Sequence, residues 1–333
     1  MRIRTALVAA ATAVAVLLLV LLNGGMKSYI QSVKTVVALP AAGQPAWSEP
    51  DKQKLLAVIE QEAVKRRIAP VNARIDRVWK AIPGYNGLEV DVRQTYEQTL
   101  KKGSLTDIRY VYKEVEPQIS LDDLGPLPIY KGNPNKKMIS FMINVAWGNE
   151  YIEPILETLD RENVKSTFFL DGSWLRKYPD MAKKIQERGH EMSNHAYSHP
   201  NMSQLSRADA YKQIEKTEEL LRSTLNVSNK WFAPPSGDFN QTTVQIAAEQ
   251  RLKTVLWTLD TVDWKQPPPQ TVVDKIASKL EPGALILMHP TKSSRDALPG
   301  MIAAAKAKGY AIGTVSDVLS SARVPSPVES GLQ

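Results

Sequence analysis

The chain has 333 residues, no cysteine and a formal net charge of +7. That length accommodates one large domain with a smaller companion, and the missing thiols exclude disulfides, thiolate metal sites and cysteine nucleophiles. The 42 basic and 35 acidic residues are interleaved without a basic stripe, which disfavours nucleic acid as a partner and suits anionic surroundings such as a membrane surface or a wall polymer.

Residues 6–22, ALVAAATAVAVLLLVLL, carry no charge and follow Arg2 and Arg4. At 1.5 Å rise per residue they reach roughly 25 Å, the short end of a membrane span. The expectation is a signal-anchor over 1–25 with its N-terminus in the cytoplasm, which makes the chain a single-pass protein of the cell membrane with an extracytoplasmic C-terminal part. A cleaved signal peptide, giving an exported protein, is the alternative. Residues 26–47, with Pro40 and Pro45, read as a linker.

A small α+β domain is expected over 48–119. Its first helix starts at a Ser48 cap, takes Pro50 in the first turn, and presents Leu55, Leu56, Ile59 and Ala63 as one stripe. ARIDRVWKAI, 73–82, reads as a second short helix. LEVD at 88–91 and DIRYVYKEVE at 107–116 alternate like strands, with a helix near 93–102 between them. Nothing in this module suggests chemistry, so it is read as a spacer or as a docking domain for envelope proteins. The Pro-, Gly- and Asx-rich stretch 120–136 reads as a second linker.

From 137 to 322 the pattern changes to seven alternations of a short apolar run with an amphipathic helix, ahead of a flexible tail over 323–333. Such alternation predicts a parallel sheet, and seven uninterrupted units favour a barrel. The expected fold class is therefore α/β, a distorted (β/α)7 barrel preceded by the membrane anchor and the small α+β domain.

In a parallel barrel the chemistry gathers at the carboxyl ends of the strands. Those ends read Asn144-Val145-Ala146-Trp147-Gly148, then Asp171-Gly172, then HAYSHP from His195, then APPSGDFN from Ala233, then DTVDW from Asp260, then His289-Pro290. Three of the four histidines fall here; the fourth, His190, closes a helix and reads as a surface residue. His195 and His199 are four apart, a spacing that turns both imidazoles the same way on a helical turn and suits a divalent metal, zinc above all. His289 reads as a general acid, with Asp260 or Asp263 holding its ring. Trp147 and Trp264 would wall the cleft against substrate, and Ser236 and Gly237 in PPSG would offer backbone N–H groups to an oxyanion.

The ordered set NVAWG, HAYSHP, FAPPSGDFN, DTVDW and LILMH resembles the five motifs of the polysaccharide deacetylase (NodB-homology) family, in its sporulation-associated branch, over roughly residues 137–322. The resemblance implies a distorted (β/α) barrel and metal-dependent removal of acetyl groups from N-acetylated cell-wall glycan such as peptidoglycan. It implies His195 and His199 as metal ligands, His289 as the acid, Asp260 or Asp263 as the aspartate that tunes it, and Ser236 as the oxyanion donor. Two motifs depart from the pattern. The adjacent aspartates that serve as base and metal ligand are replaced by Asn144 and Val145, and the arginine that orients the base is replaced by Ala233. Asparagine cannot accept a proton near neutral pH, and valine cannot bind a metal. Asp171 is the preferred substitute ligand, with Asp238 and Glu150 as other carboxylates after strand ends. Two functions stay open: a wall-glycan deacetylase, and a catalytically impaired relative that binds glycan or acts as a scaffold at the envelope.

Overall fold

The computed structural model describes residues 47–103 and 107–324. The anchor expected over 6–22, nearly all of the first linker and the tail beyond Val324 lie outside the described residues. Among the described residues no helix is long and apolar enough to cross a membrane.

The chain divides into two compact units, and the described residues within Met1–Glu62 and Asp91–Val111 make up the first. Helix α1, Glu49–Lys65, begins in this unit. The Ser48 hydroxyl accepts the Asp51 N–H at 3.2 Å, the cap anticipated from sequence. Helix α2, Val92–Lys102, is capped by the Asp91 side chain on the Gln94 N–H and stops at Gly103, whose φ of 74° is the left-handed stop that glycine supplies. Thr95 and Thr99 on α2 are buried, and the Thr95 hydroxyl accepts the Val111 N–H at 3.0 Å.

The second unit comprises Ala63–Val90 with the described residues from Tyr112 onward. It opens with a hairpin and a second antiparallel pair. β1 (Arg74–Asp76) pairs antiparallel with β2 (Lys80–Ile82), and β3 (Gly87–Val90) pairs antiparallel with β4 (Tyr112–Val115). The short helix expected over 73–82 is thus a hairpin. Asp76 turns the chain locally: its Oδ1 accepts the N–H groups of Val78 and Trp79 at 2.8 and 2.9 Å, a turn that competes with helix. The stretch expected to be a linker, 120–136, is packed instead. Ile129, Lys131, Asn133 and Lys136 are all buried, and Ile129 bridges both Lys80 and Val255.

The rest is the α/β barrel. Its strands are β5 (Met138–Val145), β6 (Thr167–Leu170), β7 (Glu191–Asn194), β8 (Trp231–Phe232), β9 (Lys253–Thr254), β10 (Leu259–Asp260), β11 (Leu285–Met288) and β12 (Ala311–Ile312). They pair in parallel in the order β10-β11-β5-β6-β7-β8-β9, and β12 joins the start of β5. The single strand expected over LKTVLWTL is therefore two, β9 and β10, at opposite edges of the path. The four residues between them carry the chain from one edge to the other, so the barrel is closed by covalent chain where strand pairing stops.

β5 shows how the layers are built. Ile139, Phe141, Ile143 and Val145 belong to the core under the helices, whereas Met138 and Met142 belong to the barrel interior, the period-two alternation of a strand. Helix α3, Asn149–Arg161, covers the outer layer with Ile152, Ile155, Leu156 and Leu159, an i, i+3, i+4, i+7 stripe. Each such side chain, fully buried, contributes about 1.5–3 kcal/mol of hydrophobic stabilisation. The interior layer of β5 ends at Asn144, which occupies the mouth.

His190 is not a surface residue. It is 5 % exposed, tilts against Phe168, and its Nδ1 accepts the Ser166 N–H at 3.2 Å. Burial, helped by the Lys165 charge, pushes its pKa down to about 4. The unfolded imidazole, near 6.5, therefore binds a proton that the folded one refuses between about pH 6.5 and 4. Native stability is full above that window and falls as pH drops through it. His190→Asn keeps an acceptor for Ser166 and removes the titration. Urea melts at pH 7 and 4 are expected to show the unmodified chain losing up to about 3 kcal/mol more than the variant. Equal losses would contradict the assignment.

Candidate functional site: a cleft at the strand ends

Strand register sets the height of the site. Ile143 pairs with Met288, Val145 with Leu170, Leu170 with Asn194, and Asn194 with Phe232. The residues that follow, His289, Asp171, His195 and Ala233, therefore emerge on one rim with Asn144. A cleft of about 400 Å³ opens there, lined by Asn144, Trp147, His195, His199, Ser236, Asp260, Trp264 and His289, with Ala146, Trp257 and Leu287. Trp257 was not anticipated. It sits on the connection between β9 and β10, which read as uniform strand in the sequence.

His195 is buried, and its Nδ1 lies 2.7 Å from the Ala233 carbonyl oxygen. Burial, with the neighbouring His199 charge adding, pushes its pKa down to about 3, so the ring is neutral at pH 7. A neutral ring that donates Nδ1–H to a carbonyl leaves the Nε2 lone pair free, the usual preparation of a metal-binding histidine. The His199 ring stands 5.2 Å away at 71°. The two rings converge without the expected helical turn: the segment is a bend in which Ala196 and His199 take φ of 59° and 54°. Asn194, not singled out from sequence, fixes the start of this bend. Its Nδ2 donates to Ile214 O and Glu218 Oε1 on the helix Arg207–Leu225, and its Oδ1 accepts the Ala196 N–H.

His289 is held by Asp263, not Asp260. The buried Asp263 accepts the His289 backbone N–H at 2.6 Å through Oδ2 and contacts ring Nδ1 at 2.8 Å through Oδ1. Nδ1 therefore carries the proton and Nε2 remains available to the cleft. Asp260 also faces the cleft but uses Oδ1 to accept the Val262 N–H. Trp147 stacks on the His289 ring at 6.0 Å and 8°. Trp147 and Trp264 are 46 % and 54 % exposed, broad apolar faces left open at the rim. Ser236 lines the cleft with φ of 55°. Gly237 cannot serve as a second donor, because its N–H is spent on the Pro234 carbonyl at 3.0 Å; it packs instead against Trp257.

Gly148 couples the first and last motifs. Its φ is +81°, and a Cβ there would run into the Pro290 carbonyl. Gly148→Ala is expected to lower stability by about 2 kcal/mol or more and to displace the His289 loop, because neither the backbone angle nor the space admits a methyl group. A melting curve matching the unmodified chain would contradict this.

Of the carboxylates weighed as substitute ligands, Asp171 and Asp238 serve local structure, although Asp171 Oδ2 is buried without a hydrogen-bond partner. Asp171 caps helix α4 (Gly172–Lys177): its Oδ1 accepts from Ser173 Oγ at 2.5 Å and the Trp174 N–H at 3.0 Å. Burial raises its carboxyl above the ordinary range, opposed by those hydrogen bonds and by the His199 charge. Asp238 accepts from the Ser203 N–H and hydroxyl, and Glu150 stands in the first turn of α3. Among the described residues no group of three or more His, Asp or Glu side chains is placed to hold a metal ion. Val145 is fully buried in the helix-facing core. Two imidazoles without a coordinating carboxylate do not make the donor set of a catalytic zinc site, which takes three protein ligands.

Comparison with known proteins agrees with this architecture. A polysaccharide deacetylase family model matches residues 131–255. The chain is 45 % identical over 291 residues to the uncharacterised protein YlxY of Bacillus subtilis, covering 87 % of this chain and 88 % of that one. It is 31 % identical over 229 residues to a peptidoglycan-N-acetylglucosamine deacetylase of Bacillus cereus, covering 64 % and 83 %. The chain belongs to the polysaccharide deacetylase family. Within that family, also designated CE4, it resembles the solved structure of BA3943, a CE4 family pseudoenzyme from Bacillus anthracis. The TM-score is 0.75 at 44 % identity, over 81 % of this chain and 96 % of that one. A mutant of that pseudoenzyme is described as having restored enzymatic activity, and it matches at 43 % identity and a TM-score of 0.75, over 81 % and 99 %. The deacetylase fold is thus retained here around a first motif of Asn144 and Val145.

Proposed function

We propose that this chain is a non-hydrolysing member of the polysaccharide deacetylase family whose cleft binds N-acetylated wall glycan. The observation that carries the reading is the state of the first motif. Asn144 sits in the cleft where the family resemblance puts the base, and Val145, where it puts a metal ligand, is packed into the core. Loss of a general base alone typically lowers a rate 10²- to 10⁴-fold.

Much of the binding surface is kept. The Asp263–His289 pair, the Trp147–His289 stack and the exposed Trp264 all remain. Four non-glycine residues around the mouth, Ala196, His199, Ser236 and Val262, hold φ between 54° and 59°. Such backbone is unfavourable by about 1–2 kcal/mol per residue, most of all for β-branched valine. A fold that keeps this strain at one rim is shaped for a ligand there. The bacterial pseudoenzyme neighbour supports loss of turnover, and the B. cereus deacetylase supports peptidoglycan as the glycan. On this reading the chain works at the outer face of the cell membrane, tethered by residues 6–22, in wall assembly during sporulation.

Calorimetric titration of the unmodified chain with tetra-N-acetylchitotetraose and with its fully de-N-acetylated counterpart tests the reading. The acetylated oligomer is expected to bind, and Trp264→Ala to weaken it on the order of tenfold, the effect of about 1.4 kcal/mol of lost contact. No detectable binding of the acetylated oligomer by a folded chain would contradict it.

A further inference from the structure

The hairpin β1–β2 ends in a tip that is both apolar and cationic. Ile75 and Val78 are 63 % and 67 % exposed, large aliphatic side chains left open to solvent. Arg74, Arg77 and Lys80 are exposed on the same short turn. The carboxylate among them, Asp76, pairs with Arg74 at 3.0 Å and turns its Oδ1 to the N–H groups of Val78 and Trp79. Among the described residues neither Arg77 nor Lys80 has a carboxylate within ion-pair distance. The tip thus sets two uncompensated cations beside two open aliphatic side chains.

The second unit buttresses this tip. The Trp79 ring lies 6.4 Å from that of Tyr130, and the Lys131 ammonium lies 5.3 Å from the Trp79 centroid. Lys131 is itself buried and paired with Glu281 at 2.6 Å. The chain leaving the hairpin is fastened at the amino ends of the barrel strands. Asn133 Nδ2 donates to the Pro83 carbonyl at 2.8 Å, and the Asn86 N–H donates to the Ser321 carbonyl at 2.8 Å. Ser321 follows the helix Val315–Leu319, whose Val315 N–H donates to Thr167 at the start of β6. None of residues 74–80 lines the cleft at the carboxyl ends.

The mixture of groups on the tip decides among occupants. A hydrophilic polyanion would satisfy Arg77 and Lys80 and gain nothing from Ile75 and Val78. A second copy of the tip would bring like charges together. An anionic bilayer takes both kinds of group: aliphatic side chains enter the boundary between headgroups and acyl chains, and long basic side chains reach the lipid phosphates.

We propose that the β1–β2 tip is a membrane contact, seating Ile75 and Val78 in the interface of an anionic bilayer while Arg77 and Lys80 meet lipid phosphates. It goes beyond the glycan-binding reading and rests only on that reading's placement of the chain at a membrane surface. Lipid at the tip and glycan in the cleft occupy separate parts of the second unit, so they do not compete.

The chain has no cysteine of its own, so a single environment-sensitive nitrobenzoxadiazole label can be placed by Val78→Cys at the tip, or by Lys265→Cys beside Trp264 at the cleft rim. Each labelled full chain is moved from mild detergent into vesicles of phosphatidylcholine alone or of phosphatidylcholine with phosphatidylglycerol, with and without a doxyl-lipid quencher. The label at 78 is expected to shift to the blue and be quenched in the anionic vesicles, and the label at 265 to do neither. Adding Arg77→Gln/Lys80→Gln to the tip-labelled chain is expected to lower the bound-to-free ratio of the tip on the order of tenfold at low salt, with an unchanged melting temperature. An unquenched label at 78 in anionic vesicles, or quenching untouched by the double variant, would overturn the contact. So would a blue shift produced as well by soluble poly(glycerol phosphate), which would mark the tip as a polyanion site. Recovery of the chain with anionic vesicles but not with neutral ones would remove the tether over residues 6–22, and quenching at 78 would then still uphold the tip.

Discussion

Asn144→Asp, combined with Val145→Asp and Ala233→Arg and supplied with zinc, is expected to release acetate from tetra-N-acetylchitotetraose at least about 10²-fold faster than the unmodified chain. The first change restores a proton acceptor at the mouth of β5. The second adds the carboxylate that His195 and His199 lack, and the third supplies the arginine that the family resemblance pairs with the base. The three do not act alone. Val145 and Ala233 are both fully buried. An aspartate at 145 without a cation, or an arginine at 233 without an anion, is an unpaired buried charge that lowers stability by about 3–5 kcal/mol. Val145→Asp should therefore melt early in the absence of zinc and recover when zinc is added. Ala233→Arg should be tolerated better with Asn144→Asp than without it. Additive losses across that double-mutant cycle would show that 144 and 233 do not communicate.

Asp263→Ala is expected to have the largest effect on the native cleft. The Asp263 carboxylate is fully buried and satisfies both the His289 backbone N–H and its ring. Removing it leaves two donors without an acceptor, each unfavourable by about 1–3 kcal/mol. A loss near 3 kcal/mol would lower the melting temperature by about 4 °C in a chain of this size. Asp260→Ala, which breaks one hydrogen bond to the Val262 N–H, should lower it far less. Comparable losses from the two variants would contradict the assignment of Asp263 as the residue that holds His289.

The barrel was legible in the sequence because each strand–helix unit carries its own periodicity, and strand ends are where a parallel sheet collects side chains. His195, His199, His289, Trp147 and Trp264 reach one cleft for that reason. Features that depend on local turn chemistry were less legible. Asp76 converted an apparent helical stripe into a hairpin by accepting two backbone N–H groups. The break between β9 and β10 comes from closing the barrel, which no local pattern encodes. Asp171 could be read as a ligand because it follows a strand, yet the helix that begins at Gly172 claims its oxygen as a cap. The choice between Asp260 and Asp263 needed three dimensions, since one ends and the other closely follows the same short strand. His190 looked like a helix-terminal surface residue, and only the packing of Phe168 and the Ser166 N–H shows why it is buried.

On the proposed reading, the cleft retains its ligand-binding walls and has lost the means to hydrolyse. Zinc content and acetate release, measured together on the purified chain after incubation with zinc and tetra-N-acetylchitotetraose, test it most directly. Less than one tightly held zinc per chain and no acetate above background are expected, from a protein that binds the oligosaccharide. Stoichiometric zinc with sustained acetate release abolished by His289→Ala would contradict it.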